Sequence, residues 1–202
     1  MKKSIILPLL GMLAIEASHG AAGIFDELVW VTSVSPFSVG TSTFMEIDDN
    51  NANLFGAAEF QGSNLGTFNN TATLFLTGQQ KSFKNSGTDV TGHTLHWSLN
   101  GGVTSTPLSY GFQANLGSSG DQRWGNDVSG VMTSNILTGL ANGVYTLSIW
   151  STINTNSVNA APVIFNNRGG QNYNATFTVI PEPSSAVLLG ALGTMALLRR
   201  RK

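Results

Sequence analysis

The chain has 202 residues, which fits one domain with sorting segments, and it has no cysteine, which excludes a disulfide framework, a thiolate metal site and a cysteine nucleophile. Charged residues make up only 10% of the chain, and the net charge is -1. Residues 23–180 hold four cations against nine acids, a net charge of -5, and lack the clustered Lys and Arg that nucleic-acid binding needs.

The first residues have the pattern of a secretory signal peptide. Two lysines at positions 2–3 precede an apolar run over 5–15 and a short stretch of small and polar residues. The run is too short for a comfortable membrane span, and the proline and glycine within it argue against a buried N-terminal helix. The pattern predicts a signal-peptide helix over residues 1–22, with cleavage after Gly20 or Ala22.

Residues 23–178 predict a single all-β domain. They show no sustained helical period, and short runs of alternating polar and apolar residues are separated by turn residues. Eight runs predict strands, at 28–34, 43–48, 72–78, 94–102, 108–116, 131–140, 143–153 and 173–180. Short strands with frequent turns are typical of an antiparallel β-sandwich or jelly roll.

The clearest predicted strand covers residues 143–153, where alternation divides the side chains between two faces. The apolar face holds Tyr145, Leu147 and Ile149, and the polar face holds Thr146, Ser148 and Trp150. Asn142-Gly143 stands at its start, and Asn-Gly is the strongest short hairpin signal. We therefore expect a hairpin over 131–153, with residues 131–140 as the partner strand.

Two groups of residues are candidate metal sites. His93 and His96 lie three residues apart in a predicted strand, so their side chains point to opposite faces, and His96 is expected at the surface. Asp48, Asp49 and Asn51 form a weak calcium candidate. An exposed Asx-rich turn is the favoured interpretation, because the positions of the EF-hand glycine and bidentate glutamate hold other residues. We predict no firm metal site.

Tryptophans offer possible contacts for a glycan. Alternation places Trp97 in the core, whereas Trp150 falls on a polar face and Trp124 in a predicted loop beside Arg123. Exposed tryptophan indicates a contact surface, so Trp124 and Trp150 are the possible glycan contacts. The alternative is that a second sheet or a loop covers Trp150.

The sequence predicts no catalytic residues and no cofactor. No serine stands in a G-x-S-x-G elbow. Asp121 and Asp127 have the residue type of a glycosidase pair, but a Gly-rich loop with solvated acids is the favoured interpretation.

The last residues combine three features in a fixed order. Pro181-Glu182-Pro183 forms a stiff peptide that cannot join a sheet or a helix interior. An apolar run over 185–198 follows, whose fourteen residues span about 21 Å as a helix, short of the roughly 30 Å hydrocarbon core. Four cations at 199–202 are expected to stay in the cytoplasm. Both ends therefore predict that residues 23–178 lie outside the cytoplasm.

This order of Pro-Glu-Pro, short apolar helix and basic cluster over residues 179–202 resembles the PEP-CTERM sorting signal of Gram-negative bacteria. The resemblance implies recognition and processing by an exosortase, a membrane-embedded, transpeptidase-like enzyme. It implies that Pro181, Glu182 and Pro183 are the recognition element, that residues from about 184 to 198 form a transmembrane helix, and that a basic stop signal follows. That signal comprises Arg199, Arg200, Arg201 and Lys202.

These observations predict an exported surface or extracellular-matrix protein with a non-catalytic structural or adhesive role. Its expected partners are the general secretion machinery, the exosortase and, by the resemblance, a surface polysaccharide. The inner membrane would hold it until processing. A carbohydrate-binding module on the same scaffold is the alternative, and a secreted hydrolase is less favoured.

Overall fold

A computed structural model describes residues 22–33, 42–47, 57–85, 88–102, 106–117, 120–125, 131–156 and 161–182. In these segments the chain forms twelve strands and one short 3₁₀ turn, Arg168–Gly170, and no α-helix. The strands are β1 Ala22–Thr32, β2 Thr43–Glu46, β3 Ala58–Glu59, β4 Asn64–Asn69, β5 Phe75–Lys84, β6 Val90–Leu99, β7 Leu108–Tyr110, β8 Phe112–Leu116, β9 Asp121–Gly125, β10 Gly143–Thr155, β11 Val163–Asn166 and β12 Tyr173–Ile180.

The strands form two packed sheets of six, which confirms the predicted all-β sandwich. Sheet A has the order β3-β2-β1-β5-β9-β8. Sheet B has the order β4-β12-β10-β6-β7, and β11 also pairs with β10. The predicted wholly antiparallel arrangement is wrong, because β2 pairs parallel with β3 and β4 pairs parallel with β12. Alternation identifies the face of each strand but not its neighbour, so it could not reveal these two pairs.

The core lies between the sheets and follows the predicted alternation. On β10, Leu147 and Ile149 are fully buried. On β6, Leu95 and Trp97 face inward in the same way. On β12, every second residue is buried, namely Tyr173, Ala175, Phe177 and Val179. Each large apolar side chain that is buried in this way contributes about 1.5–3 kcal/mol to folding.

The predicted hairpin over 131–153 is wrong, because residues 131–140 form no strand. This segment instead runs along β5, where the Thr133 and Ile136 amides donate to the Leu76 and Leu74 carbonyls at 2.9 and 2.8 Å. Asn135 Oδ1 also accepts from the Leu74 amide at 2.9 Å. The Asn135 side chain thus takes the place of a backbone acceptor beside β5. The strand β10, which the sequence predicts to pair with 131–140, pairs with β6, β11 and β12.

Two glycines of sheet A make room for Tyr110 of sheet B. A Cβ on Gly78 would lie 2.3 Å from the Tyr110 hydroxyl oxygen and 2.5 Å from the Leu28 carbonyl oxygen. Gly125 has a φ of +80°, and a Cβ there would lie 2.4 Å from the Gly78 carbonyl oxygen. Only glycine fits both positions without displacing backbone, and the close approach lets Tyr110 reach between the sheets.

Candidate functional site

The sorting segment begins inside sheet B. Val179 is buried, and Ile180 is the last residue of β12, paired with Asn69 of β4. The Asn70 amide donates to the Ile180 carbonyl at 3.1 Å. Pro181 then has no amide to donate, and it and Glu182 are exposed. The described part of Pro-Glu-Pro is therefore accessible at the very end of an interior strand.

Glu182 is also tied to the folded body. The Thr71 hydroxyl lies within hydrogen-bond distance of Glu182 Oε1 and of Asn69 Oδ1, the latter at 3.0 Å, and it donates its one proton to one of them at a time. Thr71 lies in a tight turn after β4, in which its amide donates to Asn69 Oδ1 at 3.2 Å and the Ala72 amide donates to the Asn69 carbonyl at 3.0 Å. An asparagine side chain that binds the backbone two residues on is a common way to fix such a turn.

Several predicted features lie outside the described residues. They are the signal peptide up to residue 21, Asp48, Asp49, Asn51, Asp127, Pro183, the apolar run 185–198 and the basic cluster Arg199–Lys202. Ala22 is the first residue of β1, so cleavage after Gly20 would leave that strand whole. In the described segments, no helix is long and apolar enough to cross a membrane. The same segments hold no group of three His, Cys, Asp or Glu side chains that could bind a metal ion.

Trp150 lies on the outward face of sheet B and is half-buried. Its ring stacks on His96 of β6, with the centroids 5.3 Å apart and the planes within 7°. His96 Nε2 also hydrogen-bonds Thr152 Oγ1 at 3.0 Å. Partial burial lowers the pKa of His96, which favours its neutral form. The outward positions of β6, β10 and β12 around this stack carry hydroxyl, amide and aliphatic side chains and no charge.

The prediction that Trp124 stands in a loop is wrong. Trp124 lies in β9 and is only 8% exposed. Its ring stacks on His93 of the opposite sheet at 5.0 Å and meets Phe112 edge-on at 5.4 Å. Because this side chain fills the space between the sheets, it offers no open face to a sugar, and Trp150 alone keeps that role as a prediction.

A buried polar cluster joins the two sheets around Glu27 of β1. Gln80 Nε2 of sheet A donates to Glu27 Oε1, and Ser151 Oγ of sheet B donates to Glu27 Oε2. Asn166 Nδ2, also of sheet B, donates to Glu27 Oε2 at 2.8 Å. The Tyr173 hydroxyl completes the cluster by donating to Asn166 Oδ1 at 2.6 Å. Glu27 is only 1% exposed, so this carboxylate depends on protein donors in place of water.

His93 extends the cluster through Gln80. Since the Gln80 amide nitrogen donates to Glu27, its Oε1 accepts from His93 Nδ1, and His93 Nε2 accepts from Ser82 Oγ at 3.2 Å. These partners assign the neutral imidazole with its proton on Nδ1. Burial lowers the pKa of His93 to about 3. His93 faces the core and His96 faces outward, which confirms that the H-x-x-H pair is split between faces.

The order Ser82, His93, Gln80 and Glu27 has the residue types of a hydrolytic relay, but none of these four side chains is more than 1% exposed. A substrate therefore cannot reach Ser82 Oγ in this arrangement. The cluster acts as a polar link between the sheets, and the sequence analysis missed it. The alternation pattern could have predicted it, because each of these residues lies an even number of positions from a buried apolar residue of its own strand and so points to the same face.

A cavity of about 150 Å³ opens beside Tyr110, lined also by Thr77, Phe112 and Val131. Burial and the Glu27 charge raise the pKa of Tyr110, so its hydroxyl keeps its proton. Ligand pockets usually hold about 300 Å³ or more, so this cavity is small for a sugar.

Comparison with known proteins identifies the C-terminal segment. Residues 179–202 match the family PEP-CTERM protein-sorting motif. No curated protein matches the chain. The match covers the strand end Val179–Ile180, the exposed Pro181 and Glu182, and the residues that follow. The chain therefore carries a PEP-CTERM protein-sorting motif at the end of a two-sheet β body, and this motif implies an exported protein that an exosortase sorts.

Proposed function

We propose that the β body is a non-catalytic structural or adhesive domain that works at the cell surface or in the extracellular matrix. The observation that carries the proposal is the sorting motif over residues 179–202, whose Pro181 and Glu182 are exposed at the end of β12. The burial of Ser82, His93 and Glu27 supports a role without catalysis, since the side chains best suited to chemistry serve the core.

We further propose the route to that location. A signal peptide over residues 1–22 starts export, and a helix of residues from about 184 to 198 holds the precursor in the inner membrane. The basic residues at 199–202 keep the tail cytoplasmic. Exosortase then recognises Pro181, Glu182 and Pro183 and removes the tail, which releases the body to the surface.

The test is the intact mass of the mature protein from its native host, with and without the exosortase. We expect a form lacking everything after about residue 183 in the wild-type host and the full tail when the enzyme is missing. Glu182→Ala should leave most of the tail in place, whereas Glu59→Ala, which removes an exposed carboxylate from β3, should not. A full tail in both hosts would contradict the sorting step and leave a membrane-anchored β domain.

A second candidate function is binding of a neutral polysaccharide by the outward face of sheet B. The Trp150–His96 stack favours it, because an aromatic ring on an uncharged, hydroxyl-rich surface suits the apolar face of a sugar. Thr146 and Thr176, which are paired across β10 and β12 on the same face of the sheet, would supply hydrogen-bond partners.

Binding to an array of neutral polysaccharides tests this candidate. Trp150→Ala should weaken binding by about tenfold, the order expected for the loss of one stacking ring. Phe44→Ala is the matched control, since Phe44 is 41% exposed on β2 of the other sheet and should affect binding little. Equal binding by the wild type and Trp150→Ala, or no binding by either, would rule the surface out.

A further inference from the structure

The recognition element of the sorting motif is attached to the body at two consecutive places. Asn70 of the turn after β4 donates to the Ile180 carbonyl at 3.1 Å, and Thr71 donates to the Glu182 carboxylate. The hydroxyl and the carboxylate belong to residues 111 positions apart in the chain. Glu182 is therefore held by the folded body and is not part of a free linker.

We infer that Thr71 is a positioning residue for exosortase processing, which holds Glu182 against the body and delays its transfer to the enzyme. The inference rests on the sorting step proposed above. It identifies the turn Asn69–Ala72 as a second determinant of the reaction, outside the sorting motif itself.

The geometry leaves the enzyme little room to avoid this contact. Ile180 is fixed in sheet B, and three residues can span at most about 10 Å, which limits how far Pro183 can lie from the sheet. An enzyme that reads Pro-Glu-Pro must approach the end of sheet B and surround a side chain that already has a partner. The Glu182 carboxylate must then exchange the Thr71 hydroxyl for donors of the enzyme.

The contact should slow processing without preventing it. Thr71 and Glu182 are both exposed, so water competes for the same donor and acceptor and the bond opens readily. Removing one hydrogen bond of this kind should increase the open population, and with it the processing rate, by about two- to tenfold.

The first experiment follows the loss of the tail by pulse-chase in the native host. Thr71→Val removes the hydroxyl but keeps the side-chain shape, and we expect two- to tenfold faster processing. Thr71→Ser keeps the hydroxyl and should restore the wild-type rate. Thr67→Val is the matched control, since Thr67 is exposed on β4 and, in the described part of the chain, makes no hydrogen bond with Glu182.

A second measurement needs no exosortase. In the purified full-length chain, hydrogen exchange of the Asn70 amide reports whether the end of β12 stays docked, because this amide donates to Ile180. We expect faster exchange in Thr71→Val and unchanged exchange in Thr71→Ser and Thr67→Val.

The two measurements separate the possible failures. Unchanged or slower processing of Thr71→Val overturns the delaying role, whatever the exchange rate. If no variant is processed, the sorting step fails and the delaying role fails with it, while exchange still shows whether Thr71 holds the strand end. Faster processing of Thr67→Val as well would mean that β4 acts through general stability, and the assignment to Thr71 would be wrong.

Discussion

Glu27→Ala should lower the free energy of unfolding of the body by about 4 kcal/mol or more. The change removes the acceptor for Gln80, Ser151 and Asn166, which lie in both sheets. A buried donor left without a partner costs about 1–3 kcal/mol. Gln80 and Ser151 would lose their partner together, and Asn166 Nδ2 would keep only the Ile47 carbonyl, at 2.6 Å. Losses above about 4 kcal/mol are uncommon for single substitutions, so the result would identify Glu27 as the centre of the link between the sheets.

Denaturant unfolding followed by tryptophan fluorescence measures this loss. Glu59→Ala is the matched control, because Glu59 is exposed on β3 and its removal should change stability by less than about 0.5 kcal/mol. Glu27→Gln keeps the shape and one acceptor oxygen, so its loss should be intermediate, and it remains measurable if Glu27→Ala does not fold. Equal, small losses for Glu27→Ala and Glu59→Ala would contradict the structural role of the cluster.

The stability of the body should fall as the pH falls from about 6.5 to 3, because of His93. Its pKa is about 3 in the folded protein and 6.5 in the unfolded chain. Between these two pH values the unfolded chain therefore binds a proton that the folded body excludes. The slope approaches about 1.4 kcal/mol per pH unit and the total about 5 kcal/mol. Below pH 3 both states are protonated, and this contribution becomes constant.

His93→Gln should flatten the dependence between pH 4.5 and 6.5, because the imidazole that binds a proton only in the unfolded chain is then missing. Asp89 acts below this range, since Lys84 lowers its pKa below 3.8 and its contribution is lost only as the pH falls further. His96→Gln is the control on the outer face of the same strand and should reduce the slope much less. An unchanged slope in His93→Gln would contradict a neutral, buried His93.

The sequence predicts which faces of the strands are buried far better than it predicts which strands are neighbours. Tyr173 and Phe177 follow a simple alternation, because burial acts on each residue locally. The parallel pairing of β12 with β4 depends on a long-range arrangement that no local pattern contains. The segment 131–140 is predicted as a strand, yet the Asn135 side chain and the edge of β5 decide its path.

The sorting motif could be predicted because its residues are contiguous and its chemistry is carried by their order. The contact between this motif and Thr71 could not be predicted, because Thr71 and Glu182 come together only after the whole sandwich has formed. Trp124 and His93 show the same limit in the core. Trp124 is predicted in a loop and His93 in a strand, yet their rings stack on each other from opposite sheets.

The position of β12 within sheet B determines how the body bears mechanical force. β12 lies between β10 and β4, with one ladder antiparallel and one parallel. If a membrane holds the tail, as proposed above, tension on Pro181 runs along β12 and loads both ladders in shear, so several hydrogen bonds must break at once and Val179 must leave the core. A strand at the edge of the sheet would have only one ladder to resist the same pull.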